Sequence, residues 1–284
     1  TKKFDRIVEE ILVRGQDPHS LAIDYSVHGP IISRDDTSGS AVSLCWTGLG
    51  QSTESPALWK INRTGYLGDY LAALRLLTAP AMNLIYSDVD GNIAIHPCGD
   101  LPLRKTGAGR VPLDGASGEH DWAGMIPHEE LPLSVNPQEH FVTSANGRPA
   151  SAGYPHYLGW MWDPSYRTRR IHEMLTQADN LTLERMRAIQ TDAYDKAAEC
   201  FLPTLLSSLD MSEIGADAVS KRAVEELQAW DYVADREALA PAIWLRWFDH
   251  YRSAVWVDEW ETRGIVQPGG SWGFSGDNRR EPVL

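Results

Sequence analysis

The sequence lacks the features that mark membrane-spanning, disulfide-rich and nucleic-acid-binding proteins. No stretch approaches the roughly 18 uninterrupted apolar residues that a membrane span requires. The 284 residues include only three cysteines, an odd number with no C-x-x-C spacing, so no complete disulfide framework is expected. Cationic side chains are also few, since 26 Lys and Arg stand against 39 Asp and Glu and give a net charge of −13. A field of that sign repels phosphate groups, so neither nucleic acid nor a membrane surface is expected as a partner.

The composition indicates a globular chain of about two domains. Hydrophobic residues make up 43% and charged residues 23%, which is enough apolar material for a core. The first residues lack both the apolar run of a signal peptide and an initiator Met. We therefore interpret the chain as processed, or as a fragment of a longer protein.

The first half of the chain is rich in strand signals. The clearest is a hairpin predicted over residues 84–97, where two apolar-rich runs flank Asp90-Gly91, a dipeptide that supplies the positive φ angles of a tight turn. An amphipathic helix is predicted from Leu67 to Leu77, ended by Pro80. The other strand candidates are residues 25–34, broken by Gly29-Pro30, residues 41–47 and residues 141–145.

The second half is helical in pattern. Helices are predicted over residues 167–178, over 220–230 and within the tryptophan-rich residues 231–264. Another begins after Thr182, a good N-cap, and its apolar stripe runs through Met186, Ile189, Ala193 and Ala197 until Pro203 interrupts. We therefore predict an α+β fold, with a β-rich region over residues 1–164 and a mainly helical region over residues 165–284.

Several local motifs have simpler structural interpretations. Asp88-x-Asp90-x-Asn92 resembles the start of a calcium loop, but its Gly and its twelfth residue are wrong, so we interpret it as a hairpin turn. Residues 269–273 match G-x-S-x-G, yet Pro268 precedes them and no helical pattern follows. The pairs His120-Asp121 and His128-Glu129 are interpreted as surface turns.

The eleven tryptophans allow two interpretations. Trp244, Trp247 and Trp256 lie among apolar neighbours, which favours a packed core. The alternative is an aromatic surface that binds a ligand. Composition and spacing alone indicate an α+β protein and no particular function.

Six segments, in order along the chain, resemble the penicillin amidase family of N-terminal-nucleophile hydrolases. The resemblance runs from residue 27 to about residue 190 and is thin beyond about residue 200. The segments are residues 27–31 (VHGPI), 44–48 (LCWTG), 80–96 (PAMNLIYSDVDGNIAIH), 118–132 (GEHDWAGMIPHEELP), 143–149 (TSANGRP) and 166–175 (YRTRRIHEML).

The resemblance implies amide hydrolysis through a serine acyl-enzyme, within part of an αββα sandwich that carries a helical insertion. The family's catalytic chain begins with the nucleophilic Ser, and the HGP segment lies well downstream of it. We therefore expect this chain to be an internal fragment without the nucleophile, and to be inactive alone. Thr1 is then a fragment boundary and not a nucleophile in its own right.

Two functional residues carry over from the family by position. Asn146 matches the asparagine whose amide donates to the tetrahedral oxyanion, and Arg167 matches the arginine that helps to hold that asparagine and the nucleophile's amine. The chain departs from the family at Gly147, where a second Asn is common.

The resemblance also implies partners. These are an N-acylated small-molecule substrate, the remaining segments of the parent enzyme and its small subunit. The resemblance further implies that the protein is periplasmic or extracellular. The substrate could be a β-lactam, an acyl-homoserine lactone or a lipopeptide. The family's structural calcium is bound by acidic side chains that we cannot place in this sequence. We therefore predict no cofactor and no metal ligand in this chain, and expect structural calcium only in the intact enzyme. A non-catalytic binding module is the alternative function.

Overall fold

The computed structural model describes residues 3–51, 53–178, 180–215 and 217–262. The chain divides into two compact units. The first comprises Thr1–Val142 and Pro149–Trp160, and the second comprises Thr143–Arg148 and Met161–Leu284. The domain division between residues 164 and 165 stays a prediction. The motif at residues 269–273 and Thr1 both lie outside the described residues.

The first unit contains three antiparallel sheets and two short helices. The sheets have the strand orders β1-β2-β3-β4, β5-β6-β9 and β7-β8. The helices are α1 (Glu54–Ile61) and α2 (Leu67–Leu74). The strands are β1 (Asp5–Ile11), β2 (His19–Ser26), β3 (Gly29–Asp35), β4 (Ser40–Ser43), β5 (Met82–Ser87), β6 (Ile93–Cys98), β7 (Pro102–Arg104), β8 (Trp122–Met125) and β9 (Ser134–Val135).

The break between β2 and β3 differs from the prediction. Residues 27–28 form the turn, and Gly29 and Pro30 already belong to β3, opposite Ser26 and Tyr25. Pro30 contributes its carbonyl, which accepts a hydrogen bond from the Leu44 amide at 2.9 Å. Gly29, with φ +129°, is required because a Cβ there would lie 2.1 Å from the Leu44 carbonyl oxygen. The turn therefore lies at residues 27–28, one pair of residues before the predicted break at Gly29-Pro30.

In the β1–β2 pair, one face of the sheet carries an ion pair, and the other face has apolar residues at its centre beside Glu9. On one face Arg6 of β1 forms an ion pair with Asp24 of β2 at 2.7 Å. Strand alternation places the next residues on the other face, where Ile7 lies opposite Ile23 and Glu9 lies opposite Leu21. Ile7 remains 45% exposed. A sheet face of this composition is suited to burial against another apolar surface.

We expect the 284-residue chain on its own to self-associate through this apolar face. Ile7→Lys should shift the chain towards monomer in light scattering, because a charge at the centre of the contact is costly to bury. Val8→Lys is the matched control, since Val8 is 58% exposed but lies on the opposite face, which carries the ion pair of Arg6 and Asp24. A chain that is monomeric at high concentration, or equal effects of the two substitutions, would contradict this expectation.

The predicted hairpin is confirmed as β5 and β6. The strands pair in register from Met82 opposite Cys98 to Ser87 opposite Ile93. Asp88 closes the turn, because its Oδ1 accepts from the amides of Asp90 and Asn92 at 3.0 and 2.9 Å. The predicted helix is likewise confirmed as α2, three residues shorter than expected. The core of this unit lies between these elements, and its buried residues are Ala57, Tyr70, Leu74, Leu77 and Cys98.

A histidine pair joins the interior of this unit to its surface, because His96 is buried and His128 is half-buried, while Glu129 is exposed in the short 3-10 helix that forms where a surface turn is predicted. The rings of His96 and His128 meet edge to face, with centroids 4.8 Å apart. The Nδ1 of His96 lies 2.7 Å from the Pro132 carbonyl oxygen. Burial is the main cause that lowers the pKa of both histidines, and the guanidinium of Arg75 lowers it further. Arg75 itself is paired with Glu129.

We expect this pair to make the stability of the first unit sensitive to acid. The pKa of both histidines is lower when folded than the ordinary value of 6.5, so below pH 6.5 the unfolded state binds more protons than the folded state. The free energy of unfolding should therefore fall as pH drops through about 6.5 towards the lowered folded pKa values. Denaturant titrations at several pH values measure this slope.

His96→Asn should flatten that slope, because the amide keeps a donor for the Pro132 carbonyl and does not titrate. His19→Asn, at an exposed position of β2, is the matched control and should leave the slope unchanged. An equal slope in the His96→Asn variant and the unchanged protein would contradict the assignment of the acid sensitivity to the pair.

The described part of the second unit is built mainly from helices. None of the helices in the described part of the chain is long and apolar enough to cross a membrane. The helix pairs α3 with α5, α6 with α7 and α7 with α8 are in contact. The helices are α3 (Tyr166–Thr176), α4 (Leu183–Gln190), α5 (Lys196–Ser207), α6 (Met211–Ile214), α7 (Ala218–Gln228) and α8 (Ala240–Thr262).

The boundary between α4 and α5 corrects the predicted continuous stripe. Thr182 caps α4 as expected, accepting from the Arg185 amide at 3.2 Å. The helix then ends at Gln190, and Asp195 begins α5 by accepting from the Ala198 amide at 2.9 Å. A capping carboxylate favours a new helix start over continuation of the old one.

Pro203 lies inside α5 and does not interrupt it. A proline removes one helical hydrogen bond, which costs stability. Phe201, Leu202 and Leu205 on both sides of it are buried in the core of the unit. Tertiary packing therefore outweighs the local cost.

The tryptophan-rich helix α8 supplies much of this core. Trp244 is 1% exposed and stacks on Phe248, with ring centroids 4.5 Å apart. Its Nε1 donates to Asp195 Oδ2 at 3.0 Å, so it also contacts the cap of α5. The core interpretation of Trp244 is confirmed.

Candidate active site

Asn146 lies on an irregular segment that belongs to the helical unit. Residues 141–145 were predicted as a strand, but they form none. Instead Ala145 is buried, and Asn146 adopts the left-handed conformation with φ +59°. Asparagine tolerates this conformation better than most residues. The strand pattern was overridden by this turn.

Arg167 fixes the orientation of the Asn146 side chain. It is the second residue of α3, and its Nη2 donates to Asn146 Oδ1 at 2.7 Å. A guanidinium has no acceptor, so only the amide oxygen can face it. The amide nitrogen Nδ2 is therefore directed away from Arg167, and its two hydrogens are available to an acceptor. The structure thus brings together the two residues that the resemblance singled out.

The backbone of Asn146 is held by the chain that leads into α3. The amide of Asp163 donates to the Asn146 carbonyl oxygen at 3.0 Å. The Arg167 Nη2 also reaches the Ala145 carbonyl oxygen at 3.4 Å. The turn and the helix start are therefore joined by main-chain and side-chain bonds, which restricts the direction of the amide.

A small residue is favoured after Asn146 by the packing of Thr168. A Cβ at Gly147 would lie 3.3 Å from Thr168 Oγ1, tighter than nine in ten real contacts. That hydroxyl oxygen is buried and has no hydrogen-bond partner among the residues that the structure describes. This packing gives a physical reason for Gly147 where the family commonly has a second Asn.

Two residues of this arrangement were missed from the sequence. Asp163 carries a signal that could have found it, because it lies four residues before Arg167, the spacing of a helical ion pair. Thr168 carries no such signal, because its contact with Gly147 depends on how the turn meets α3.

Structural calcium in the intact enzyme, which the resemblance allows, stays a prediction. Within residues 3–51, 53–178, 180–215 and 217–262, no group of three or more His, Cys, Asp or Glu side chains could hold a metal ion.

Chemically, the arrangement offers one neutral donor supported by a fixed cation. Asn146 and Arg167 are both exposed, so a ligand has access to them. An amide whose oxygen is already bound cannot rotate freely to suit a second acceptor. Such a preset donor stabilises a negative charge that develops at a defined point.

Comparisons with known proteins find acylases among the relatives of this chain. The chain is 28% identical over 224 residues to penicillin acylase 2 proenzyme of Pseudomonas sp. (strain SE83), covering 78% of this chain and 28% of that protein. It is also 28% identical over 228 residues to penicillin G acylase of Escherichia coli, covering 78% of this chain and 26% of that protein. The acyl-homoserine lactone acylase QuiP of Pseudomonas fluorescens is 26% identical over 197 residues, 66% of this chain and 24% of that protein.

The fold is shared with a solved acylase. The thermostable penicillin G acylase from Alcaligenes faecalis superposes with a TM-score of 0.67 at 24% identity, over 82% of this chain and 42% of that chain. This likeness confirms the α+β class and the N-terminal-nucleophile hydrolase fold. The chain spans about a quarter of the length of the curated relatives it matches. The family model for penicillin amidase matches residues 1–281, and the chain belongs to that family of amide-hydrolysing acylases.

Proposed function

We propose that the protein containing this chain hydrolyses the amide bond of an N-acylated small molecule through a serine acyl-enzyme. The observation that carries the proposal is the amide of Asn146, locked through Oδ1 by Arg167 with Nδ2 left to donate. The relatives named as penicillin acylases and as an acyl-homoserine lactone acylase support an N-acyl substrate.

In the proposed reaction, the serine hydroxyl attacks the amide carbonyl carbon while the serine's own α-amine takes the hydroxyl proton. The carbonyl oxygen becomes an oxyanion in the tetrahedral intermediate, and Asn146 Nδ2 donates to it. The intermediate then collapses, the amine leaves with the proton, and water hydrolyses the acyl ester. A neutral donor suits this task because the charge exists only in the transition state and intermediate.

Arg167 acts in this scheme as a positioning residue. Its guanidinium holds Asn146 Oδ1, and by family resemblance it also helps to hold the nucleophile's amine. Neither an amide nor a guanidinium can attack a carbonyl, so these two residues stabilise a reaction that a serine must begin. We therefore propose that the 284-residue chain alone does not turn over substrate.

The test compares the intact protein with the isolated chain on a panel of penicillins, acyl-homoserine lactones and N-acyl peptides. Release of free amine by the intact protein alone is expected. Turnover by the isolated chain that is lost on Asn146→Ala would overturn the proposed inactivity. Absence of turnover by the intact protein on every substrate class would overturn the acylase itself.

The second candidate is the non-catalytic binding module, favoured by the exposure of Trp46 and Trp59. The ring of Trp59 is covered by the Arg63 guanidinium, 3.9 Å from the ring centroid, so part of that surface is already occupied. Quenching of tryptophan fluorescence by a neutral quencher separates the two functions. A binding module predicts that a ligand shields Trp46 and Trp59 from the quencher, whereas an acylase predicts no such shielding.

A further inference from the structure

We propose that Asp163 is a positioning residue of the active site and sets the direction in which the Asn146 amide donates. This inference rests on the proposed function. It concerns a residue outside the six segments that carry the family resemblance, and its grounds are the contacts around Asn146.

Asp163 contacts both parts of the site at once. Its backbone amide donates to the Asn146 carbonyl oxygen at 3.0 Å, and its carboxylate Oδ2 accepts from Arg167 Nη2. The same Nη2 donates to Asn146 Oδ1 at 2.7 Å. One nitrogen with two hydrogens thus bridges the Asp163 carboxylate and the Asn146 amide, while Asp163 also holds the backbone below that amide.

Electrostatics explain why a carboxylate is needed at this point. Arg167 lies in the first turn of α3, where the helix dipole disfavours a positive charge. Residues 166–169, all of them described, contain no acidic side chain in that turn. Asp163 precedes the helix and supplies a negative charge there.

Exposure indicates which partner fixes the other. The Asp163 side chain is 24% exposed, whereas the Arg167 side chain is 60% exposed. The carboxylate is therefore the more shielded of the two partners, and solvent competes mainly for the guanidinium. Without the carboxylate, the helix dipole and solvent both favour a guanidinium that swings away from Asn146, and the amide loses the partner that fixes Oδ1.

The kinetic test uses Asp163→Asn and Asp163→Glu in the intact protein. Asp163→Asn keeps the backbone bond and the size of the side chain but loses the charge, so kcat should fall about 10- to 100-fold while KM changes less than about threefold. Asp163→Glu keeps the charge at ion-pairing distance and should restore most of kcat. A loss of stability alone would not produce this split or this rescue.

Glu226→Gln is the matched control. It removes an ion pair with Arg222 at the same four-residue spacing in the same unit, with nitrogen and oxygen 3.7 Å apart. It should leave kcat unchanged. If Asn146→Gly lowers kcat about 10²–10³-fold while Asp163→Asn behaves like Glu226→Gln, the role of Asp163 is wrong and the proposed function stands.

A second readout does not depend on turnover. In the intact protein labelled with ¹⁵N asparagine, the Asn146 side-chain amide should give two N–H signals, identified by their loss on Asn146→Gly, whose chemical shifts report the hydrogen bond that Oδ1 accepts from Arg167. Asp163→Asn should move both chemical shifts towards those of a solvated asparagine amide, and Asp163→Glu should restore them. Unchanged signals in Asp163→Asn would overturn the proposal even if no acylase activity were found, and inactivity with changed signals would overturn only the proposed function.

Discussion

Asn146→Gly should lower kcat of the intact protein about 10²–10³-fold, the loss typical of one oxyanion donor, with little change in KM. Glycine adopts the left-handed conformation of residue 146 without strain, so the turn and its bond to the Asp163 amide survive the change. Only the side-chain amide is removed. Because the charge it stabilises is absent from bound substrate, the cost appears in the chemical step.

The control for this substitution is Asn136→Gly. Asn136 also has a positive φ, +47°, and its Oδ1 accepts from the Ile93 amide at 2.9 Å, but it lies in the other unit, at the end of β9. It should leave kcat near that of the unchanged protein. A wild-type kcat for Asn146→Gly, or equal losses in both variants, would remove Asn146 from the chemistry.

The largest expected loss of stability follows from Trp244→Ala. Trp244 is almost fully buried, stacks on Phe248 and donates to the residue that caps α5. Its truncation should reduce the free energy of unfolding by about 3–5 kcal/mol, because the cavity and the lost packing add to the lost transfer energy. Denaturant titration followed by far-UV circular dichroism measures this change.

Two further variants separate packing from the hydrogen bond. Trp244→Phe keeps most of the ring and loses the Nε1 donor to Asp195, so about 1–2 kcal/mol is expected. Leu245→Ala changes the next residue of α8, which is 65% exposed, and should cost about 0.5 kcal/mol or less. A Leu245→Ala effect as large as that of Trp244→Ala would show that helix propensity, and not the core, determines the loss.

Local signals in the sequence predicted the elements that local chemistry controls. The hairpin around Asp90-Gly91 and the cap at Thr182 are both found, because each depends on residues within a few positions. The strand predicted over residues 141–145 is wrong, since a bond from Asp163 to the Asn146 carbonyl holds that segment as a turn. Such a partner, 17 residues away, cannot be predicted from periodicity.

In the candidate site, too, the sequence identifies some residues, while the contacts between them depend on the tertiary structure. Asn146 and Arg167 were found only through family resemblance, because an Asn-Gly pair and an arginine at a helix start are common features. Their 2.7 Å contact required the structure. Asp163 was missed because its four-residue spacing from Arg167 is ordinary, and its importance depends on the second bond to the Asn146 backbone.

The most direct measurement is a crystal structure of the intact protein with a phosphonate or boronate analogue of the tetrahedral intermediate. The account predicts that Asn146 Nδ2 lies about 2.7–3.1 Å from the oxygen that represents the oxyanion. Asn146 Oδ1 should remain bound to Arg167 in the same crystal. An oxyanion bound by other donors, with Asn146 Nδ2 turned away from it, would contradict the central claim.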